Sequence, residues 1–310
     1  MNPREKGFLL LSSHLGDPDR KPLTVPQLRL LADRMQSMEK PEVDRELTQR
    51  DIMALGYRAD FAGRVVGLLD DEQILNYFVS RGIKAGCIPI TRVSEGFPLI
   101  LRKRLGLDAP GCLWARGDTS LLSEPTVALV GSRELHEENY RFAAEVGRQA
   151  ALQGYTLVSG NARGADKAAQ EACLENGGSV ISVVADALTE HEARENGLYL
   201  SKHPIRKNLL YLSEDGYDEP FSAQRAISRN RVIHGLGLKT FVAQSSLKTG
   251  GTWDGTVKNL RHHWSGVYCF RDGRESMELL SRMGAQLIRF EDLTSIYDLP
   301  ESEENFLTAD

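Results

Sequence analysis

Val127-Ala128-Leu129-Val130-Gly131-Ser132-Arg133 is the stretch that decides the fold. Its four apolar residues do not alternate with polar ones, as expected of a strand covered on both faces. Working outward, a helix follows with Tyr140, Ala143, Ala144, Gly147, Ala150 and Ala151 on one side. Tyr155-Thr156-Leu157-Val158 is the next strand and ends in Ser159-Gly160. A second helix carries Ala165, Ala168, Ala169 and Ala172 and stops at Asn176-Gly177-Gly178. Val180-Ile181-Ser182-Val183-Val184 is the third strand, and later strands read at 209–212, 240–243, 267–270 and 286–288. Strands and helices alternating at this spacing predict an α/β fold over residues 126–292. It is a Rossmann-like, doubly wound, mostly parallel sheet with right-handed crossovers.

Upstream the pattern changes. Residues 1–81 read as a small helical domain, with Leu28, Leu31, Ala32 and Met35 at helical spacing and two short helices between Leu47 and Leu69 joined near Gly56 or Tyr57. Asp70-Asp71 are placed to cap the helix that follows. Residues 82–125 read as a connector, with Gly82-Ile83-Lys84 and Cys87-Ile88-Pro89-Ile90 as a short strand and turns at Phe97-Pro98, Ala109-Pro110 and Gly117-Asp118. Residues 293–310 read as a short helix and a solvated acidic tail, Glu301-Ser302-Glu303-Glu304.

Composition narrows the function classes. The 310 residues are 41% hydrophobic and 26% charged, ordinary for a soluble globular protein. No apolar run approaches the roughly 18 residues of a membrane span, and the N-terminus lacks a secretory pattern, so a cytoplasmic protein without a membrane partner is expected. A net charge of −5 excludes a globally basic coat but leaves room for a local basic face. Cys87, Cys112, Cys173 and Cys269 are scattered without metal-ligand spacing, so reduced cysteines and no metal are expected.

In a parallel sheet the ligand sits beyond the carboxyl ends of the strands, so those loops carry most weight. Gly131, Ser132 and Arg133 offer a close backbone, a hydroxyl and a forked cation. Ser159-Gly160-Asn161-Ala162-Arg163-Gly164-Ala165-Asp166 opens a helix whose N-terminus favours an anion. Asp166 reads as a capping residue or a partner of Arg163 rather than a catalyst. Arg229, Asn230 and Arg231 lie on a helix beginning near Phe221 or Ser222. The two arginines cannot share a face, so one points at ligand and the other braces the fold. Lys248, Thr249, Gly250, Gly251 and Thr252 open another helix as an anion cradle. Neither GxGxxG nor the Walker A order is present, so no nucleotide cofactor is expected.

At these residues the chain resembles the DprA/Smf DNA-processing family. The resemblance covers roughly Gly82 to Asp292. It rests on the ordered set Val127–Arg133, Ser159–Asp166, Leu212-Ser213-Glu214, Ser228–Leu236, Leu247–Thr252 and Met283–Ile288, with Leu113–Asp118 upstream. It implies single-stranded DNA binding without catalysis, a homodimer, and help in loading RecA during recombination or transformation. By the same resemblance Arg133, Arg163, Arg229 or Arg231, and Lys248 hold phosphates. Gly131, Gly160, Gly164 and Gly250 allow close backbone approach, and Phe221 stacks on a base or packs at its helix start.

Three departures stand out. Ala185-Asp186-Ala187-Leu188-Thr189 and Glu190-His191-Glu192 replace the family's glycine-rich turn after the third strand. Gly250-Gly251-Thr252-Trp253-Asp254-Gly255-Thr256 is similar in part to the GGxGT loop of lysine-decarboxylase-like phosphoribohydrolases. The chain also leaves no room for the winged-helix domain of many relatives.

The alternative is a nucleotide-ligand sensor or phosphoribohydrolase-like enzyme using the same loops. Against hydrolysis, Val257-Lys258-Asn259 supplies no acid after Thr256, and His262-His263 fall at a helix surface or end. A third reading is an interaction module whose helical N-terminal domain recruits a partner.

Overall fold

A strand that is apolar on both faces needs a strand on each edge and helices above and below. The computed structural model, which describes residues 1–36, 38, 46–189 and 208–299, shows how Thr126–Val130 obtains both. Among the described residues nine strands form one sheet: β1 (Ile88–Thr91), β2 (Cys112–Gly117), β3 (Thr126–Val130), β4 (Thr156–Ser159), β5 (Ser179–Val183), β6 (Leu209–Ser213), β7 (Lys239–Val242), β8 (Gly266–Phe270) and β9 (Gln286–Ile288). Their order is β1-β2-β6-β5-β4-β3-β7-β8-β9. From β6 to β9 every neighbouring pair is parallel, and β1 and β2 are antiparallel additions at one edge.

The helices are α1 (Pro3–Ser12), α2 (Val25–Gln36), α3 (Gln49–Ala54), α4 (Ala59–Asp70), α5 (Glu72–Lys84), α6 (Leu99–Leu105), α7 (Glu137–Leu152), α8 (Ala165–Glu175), α9 (Ala223–Ser228), α10 (Asn230–Leu236), α11 (Gly250–His262) and α12 (Glu275–Arg282). One face of the sheet is covered by Phe142, Val146, Ala165, Ala169 and Cys173 of α7 and α8. The other is covered by Leu101, Leu105, Val232, Ile233, Trp253 and Met277 of α6, α10, α11 and α12. Each fully buried Leu, Ile or Phe contributes about 1.5–3 kcal/mol by leaving water, so these two layers hold the sheet. A separate cluster of Leu23, Leu31, Ile52, Ala62, Val65 and Leu68 holds the N-terminal helices together. Phe78, Trp114 and Tyr217 form an aromatic group that ties α5 to β2.

The parallel strands fall where the alternation of the sequence places them, within a residue or so at their ends. Several local readings are corrected. Gly82-Ile83-Lys84 is the last turn of α5, not strand. At Gly82 the helix passes so close to Trp114 and Tyr217 that an added Cβ would lie 2.7 Å and 2.9 Å from their rings. Residues 88–117, read as part of a connector, supply two strands of the sheet. Asp71 stands at the N-cap position of α5 as expected, but its side chain makes no cap hydrogen bond and instead accepts from Nε of the buried Arg20 at 3.1 Å. Tyr140 is exposed on α7, whose buried side carries Phe142 and Val146 instead. The single helix expected from 221 is two helices, α9 and α10, meeting at Arg229. All four cysteines are buried, and none is in a disulfide. Residues 190–192 and 301–304 lie outside the described residues.

Candidate functional site

The strand order reverses between β3 and β7, and at such a point the loops leaving neighbouring strands run in opposite directions and open a crevice. Here the crevice is a cleft of about 700 Å³ lined by residues 130–136, Ala162, Asp166, parts of α9 and α10, Gln244, Ser246 and Thr249–Thr252. The two loops are clasped through Gln244. Its carbonyl accepts from the Ser132 N–H at 3.0 Å and from Ser132 Oγ at 3.2 Å. Its side-chain oxygen accepts from the His136 N–H at 3.0 Å. Gly164 fastens the β4 loop beneath them. Its φ of +91° suits glycine, and an added Cβ would come within 2.5 Å of the carbonyl oxygens of Ser132 and Arg133.

Arg229 is the main feature of this cleft. It is 6% exposed, yet its Nε and Nη1 have no hydrogen-bond partner among the described residues. The guanidinium lies across Gly160, where any Cβ would stand 1.5 Å from Nη1, so only glycine admits it. Asp166 faces it, with Nη2 4.0 Å from Oδ2, beyond a hydrogen bond. Burial pulls the Arg229 pKa down, the Asp166 and Asp186 charges oppose this, and the Arg133 charge adds to the lowering. Burial also raises Asp166, against Arg229 and its own hydrogen bonds, which include the Ala162 N–H at 3.2 Å. Arginine stays charged in proteins. The cleft floor therefore holds a cation whose hydrogen-bonding capacity is largely unused, and an unsatisfied buried charge is costly.

The structure brings Gly131, Ser132, Arg133, Arg229, Asn230, Thr249, Gly250, Gly251 and Thr252 to one wall or another of this cleft. Asn230 is committed, donating through Nδ2 to the Gly251 carbonyl at 2.9 Å. Gly160 underlies Arg229, while Ser159 is fully buried at the end of β4. Seven candidates are outside the lining: Ser159, Gly160 and Gly164 lie beneath it, and Arg163, Lys248, Phe221 and Arg231 lie elsewhere. Arg163 is exposed and pairs with the equally exposed Glu134 at 3.3 Å, so the expected partner of Asp166 is replaced by Arg229. Lys248 is exposed on the loop before α11 in a left-handed conformation with φ 55°. Phe221 is 57% exposed just before α9, which answers the choice between core and surface. Arg231 points away, with its fork on Glu214 at 2.9 and 2.5 Å and Nε on the Asp108 carbonyl at 2.8 Å. Arg229 therefore lines the cleft, and Arg231 is held on Glu214 at the end of β6.

Gln244, His136, Ala223, Ala226 and Ile227 also line the cleft and escaped the sequence reading. His136 lies three residues past Arg133, so reading the β3 loop further would have found it, whereas Gln244 heads the loop before Lys248 and was passed over for the residues after it. The α9 residues carry no comparable signal. Among the described residues there is no cluster of histidine, cysteine, aspartate and glutamate able to hold a metal, and no helix long and apolar enough to cross a membrane.

A model of the family described as DNA recombination-mediator protein A matches residues 89–275, more than half of the sequence. The chain belongs to this family. The description names a mediator of recombination and attaches no reaction to it. Among curated relatives, DNA processing protein DprA of Streptococcus pneumoniae is 34% identical over 147 residues, covering 46% of this chain and 50% of the relative. The chain matches between 38% and 58% of the length of its curated relatives, about half. In three dimensions it is similar to the crystal structure of the Streptococcus pneumoniae DNA processing protein A, with a TM-score of 0.70 at 24% identity over 94% of this chain and 98% of that one. It is also similar to DNA processing protein A of Helicobacter pylori, whose structure describes a single-stranded DNA binding mode. There the TM-score is 0.55 at 24% identity, over 67% and 94% of the two chains. At these identities the structural likeness establishes the mostly parallel α/β fold.

Proposed function

We propose that this chain binds single-stranded DNA by its phosphate backbone in the β3–β7 cleft, without catalysis. We further propose that it acts in the cytoplasm as a homodimer that helps load a RecA-type recombinase in recombination or transformation. The observation that carries the reading is Arg229, buried at the cleft floor with Nε and Nη1 unpartnered above Gly160. A phosphate oxygen is the acceptor that its planar fork suits. The N-termini of α8 and α11 approach the same cleft and add positive partial charge. Arg133 at the exposed rim, with Arg163 and Lys248 on neighbouring loops, would extend the positive track outward. That spread suits a polymer better than one small ligand. Phe221 stands exposed beside α9, and a base stacked on it would contribute about 1–3 kcal/mol. The single-stranded DNA binding described for the Helicobacter pylori protein supports the same reading. Residues 1–81 are proposed to form a separate helical domain beside the DNA-binding one.

Fluorescence anisotropy with a labelled oligothymidylate tests this directly. Binding should weaken with salt, with a log–log slope of about −0.7 per phosphate contacted, and duplex DNA should compete poorly. Absence of binding at low salt would sink the proposal. Effective competition by a nucleoside monophosphate would favour a small-ligand site instead. Failure to speed RecA filament formation on single-stranded DNA would remove the recombinase step while leaving DNA binding intact.

A further inference from the structure

Beyond the first cleft lies a second depression of about 250 Å³, and Ile227 lines both. Gly251 and Gly255, one turn apart on α11, line the first and second respectively, so the two hollows follow one helix. The second hollow carries Lys258 and His262, four residues apart on α11 and therefore on one face. Both are exposed. The His262 ring is held parallel to the buried Trp264 indole, with centroids 5.5 Å apart and planes 11° apart. An exposed flat ring, fixed by a neighbour and one turn from a lysine, pairs a stacking surface with a phosphate partner.

The third hollow differs. It spans about 530 Å³ and is lined by Asp108, Glu214 and Asp215, while the Arg231 fork is spent on Glu214. Its carboxylates repel a phosphate chain. Asp108 also lines the second hollow and closes it on that side.

We propose that a strand held in the first cleft continues over Ile227 into the second hollow. There Lys258 takes a backbone phosphate and His262 stacks on the next base, and the acidic hollow beyond ends the track. The proposal rests on the single-stranded DNA reading given above.

The experiment uses the full chain and two labelled oligothymidylates, a short one of about 4–6 nucleotides and a longer one of about 12–16. Lys258→Gln and His262→Ala should each weaken binding of the longer strand by on the order of tenfold and leave the short one unchanged. Lys258→Gln should also flatten the salt slope for the longer strand by about 0.7. Variants that bind both lengths like the wild type overturn the proposal. So does equal loss for both lengths, which would place these residues in the first cleft or in folding. Wild-type protein that binds neither length defeats the single-stranded DNA reading itself, and the second hollow falls with it.

Discussion

Arg229 and Arg231 stand two residues apart in sequence and serve two hollows of opposite character. In the cleft beyond β3 and β7, Arg229 is buried with two of its nitrogens unpartnered among the described residues, and Asp166 stands 4.0 Å away. In the hollow beside β6, Arg231 makes a forked pair with Glu214, itself 5% exposed, and its remaining donors reach Asp108 and Ser228 carbonyls. Arg229 is buried and Arg231 is 24% exposed, and it is the more exposed of the two whose fork is spent on an acid. A buried cation whose donors are spent holds the fold, whereas one whose donors are unspent is poised for a ligand.

The sharpest way to break this comparison is to truncate both arginines and measure stability and binding separately. Arg231→Ala should lower unfolding free energy by about 3 kcal/mol in denaturant titration, because Glu214 would be left buried without its partner. DNA affinity of the folded fraction should stay near that of the wild type. Arg229→Ala should do the reverse. Affinity for an oligothymidylate should drop by on the order of 100-fold, with a smaller stability loss than for Arg231→Ala, because Asp166 loses a charge 4.0 Å away but keeps its hydrogen bond from the Ala162 N–H. Equal stability losses in the two variants would erase the distinction.

A smaller effect is read by pH. His234 is fully buried on α10, its Nδ1 lies 3.0 Å from Asn259 Nδ2, and burial pushes its pKa down to about 3. The Asn259 carbonyl oxygen accepts from the Ser265 N–H, so its amide nitrogen faces the ring and the neutral imidazole keeps its proton on Nε2. Between about pH 6.5 and 3 the unfolded chain therefore binds a proton that the native state refuses. The stability from neutral His234 is full above about 6.5 and falls by about 1.4 kcal/mol per pH unit below it. In acid titration His234→Gln should show a shallower fall over that window, and an unchanged slope would count against the burial argument.

Asp215 runs the other way. Burial and the adjacent Glu214 charge raise its pKa to about 6, against Arg225 and Arg231. The native state holds the extra proton between about 3.8 and 6, so stability is lost as pH rises through that window. Its side chain is 38% exposed, so solvent screening reduces the cost at neutral pH to about 1 kcal/mol. Asp215→Asn should raise the melting temperature at pH 7 by a few degrees and have no effect near pH 3.5. No gain at pH 7 would show that the acidic hollow is better solvated than its geometry indicates.

The parallel sheet was legible because its strands are doubly buried and hence continuously apolar, as at Val127–Val130 and Val180–Val184. The glycine-bearing loops were legible because they follow those strands directly. The edge strands were harder. Cys112–Gly117 pairs antiparallel on both sides with partners distant in sequence, and its Trp114 and Arg116 carry no period that separates strand from connector. Nor could the sequence show that Gly82 belongs to a helix end, since that follows from its contact with Trp114 and Tyr217.

By itself the sequence determined the α/β alternation, the position of the strand-end loops and the family, because these depend on local hydrophobic period and on short ordered motifs. Only the tertiary structure decided which arginine faces the cleft. It also decided that Gly160 exists to admit the Arg229 guanidinium, and that Asp166 answers Arg229 rather than Arg163. Those outcomes depend on how β4, α8 and α10 converge through space, and a guanidinium's partners are fixed by distances of a few ångströms between segments some 65 residues apart.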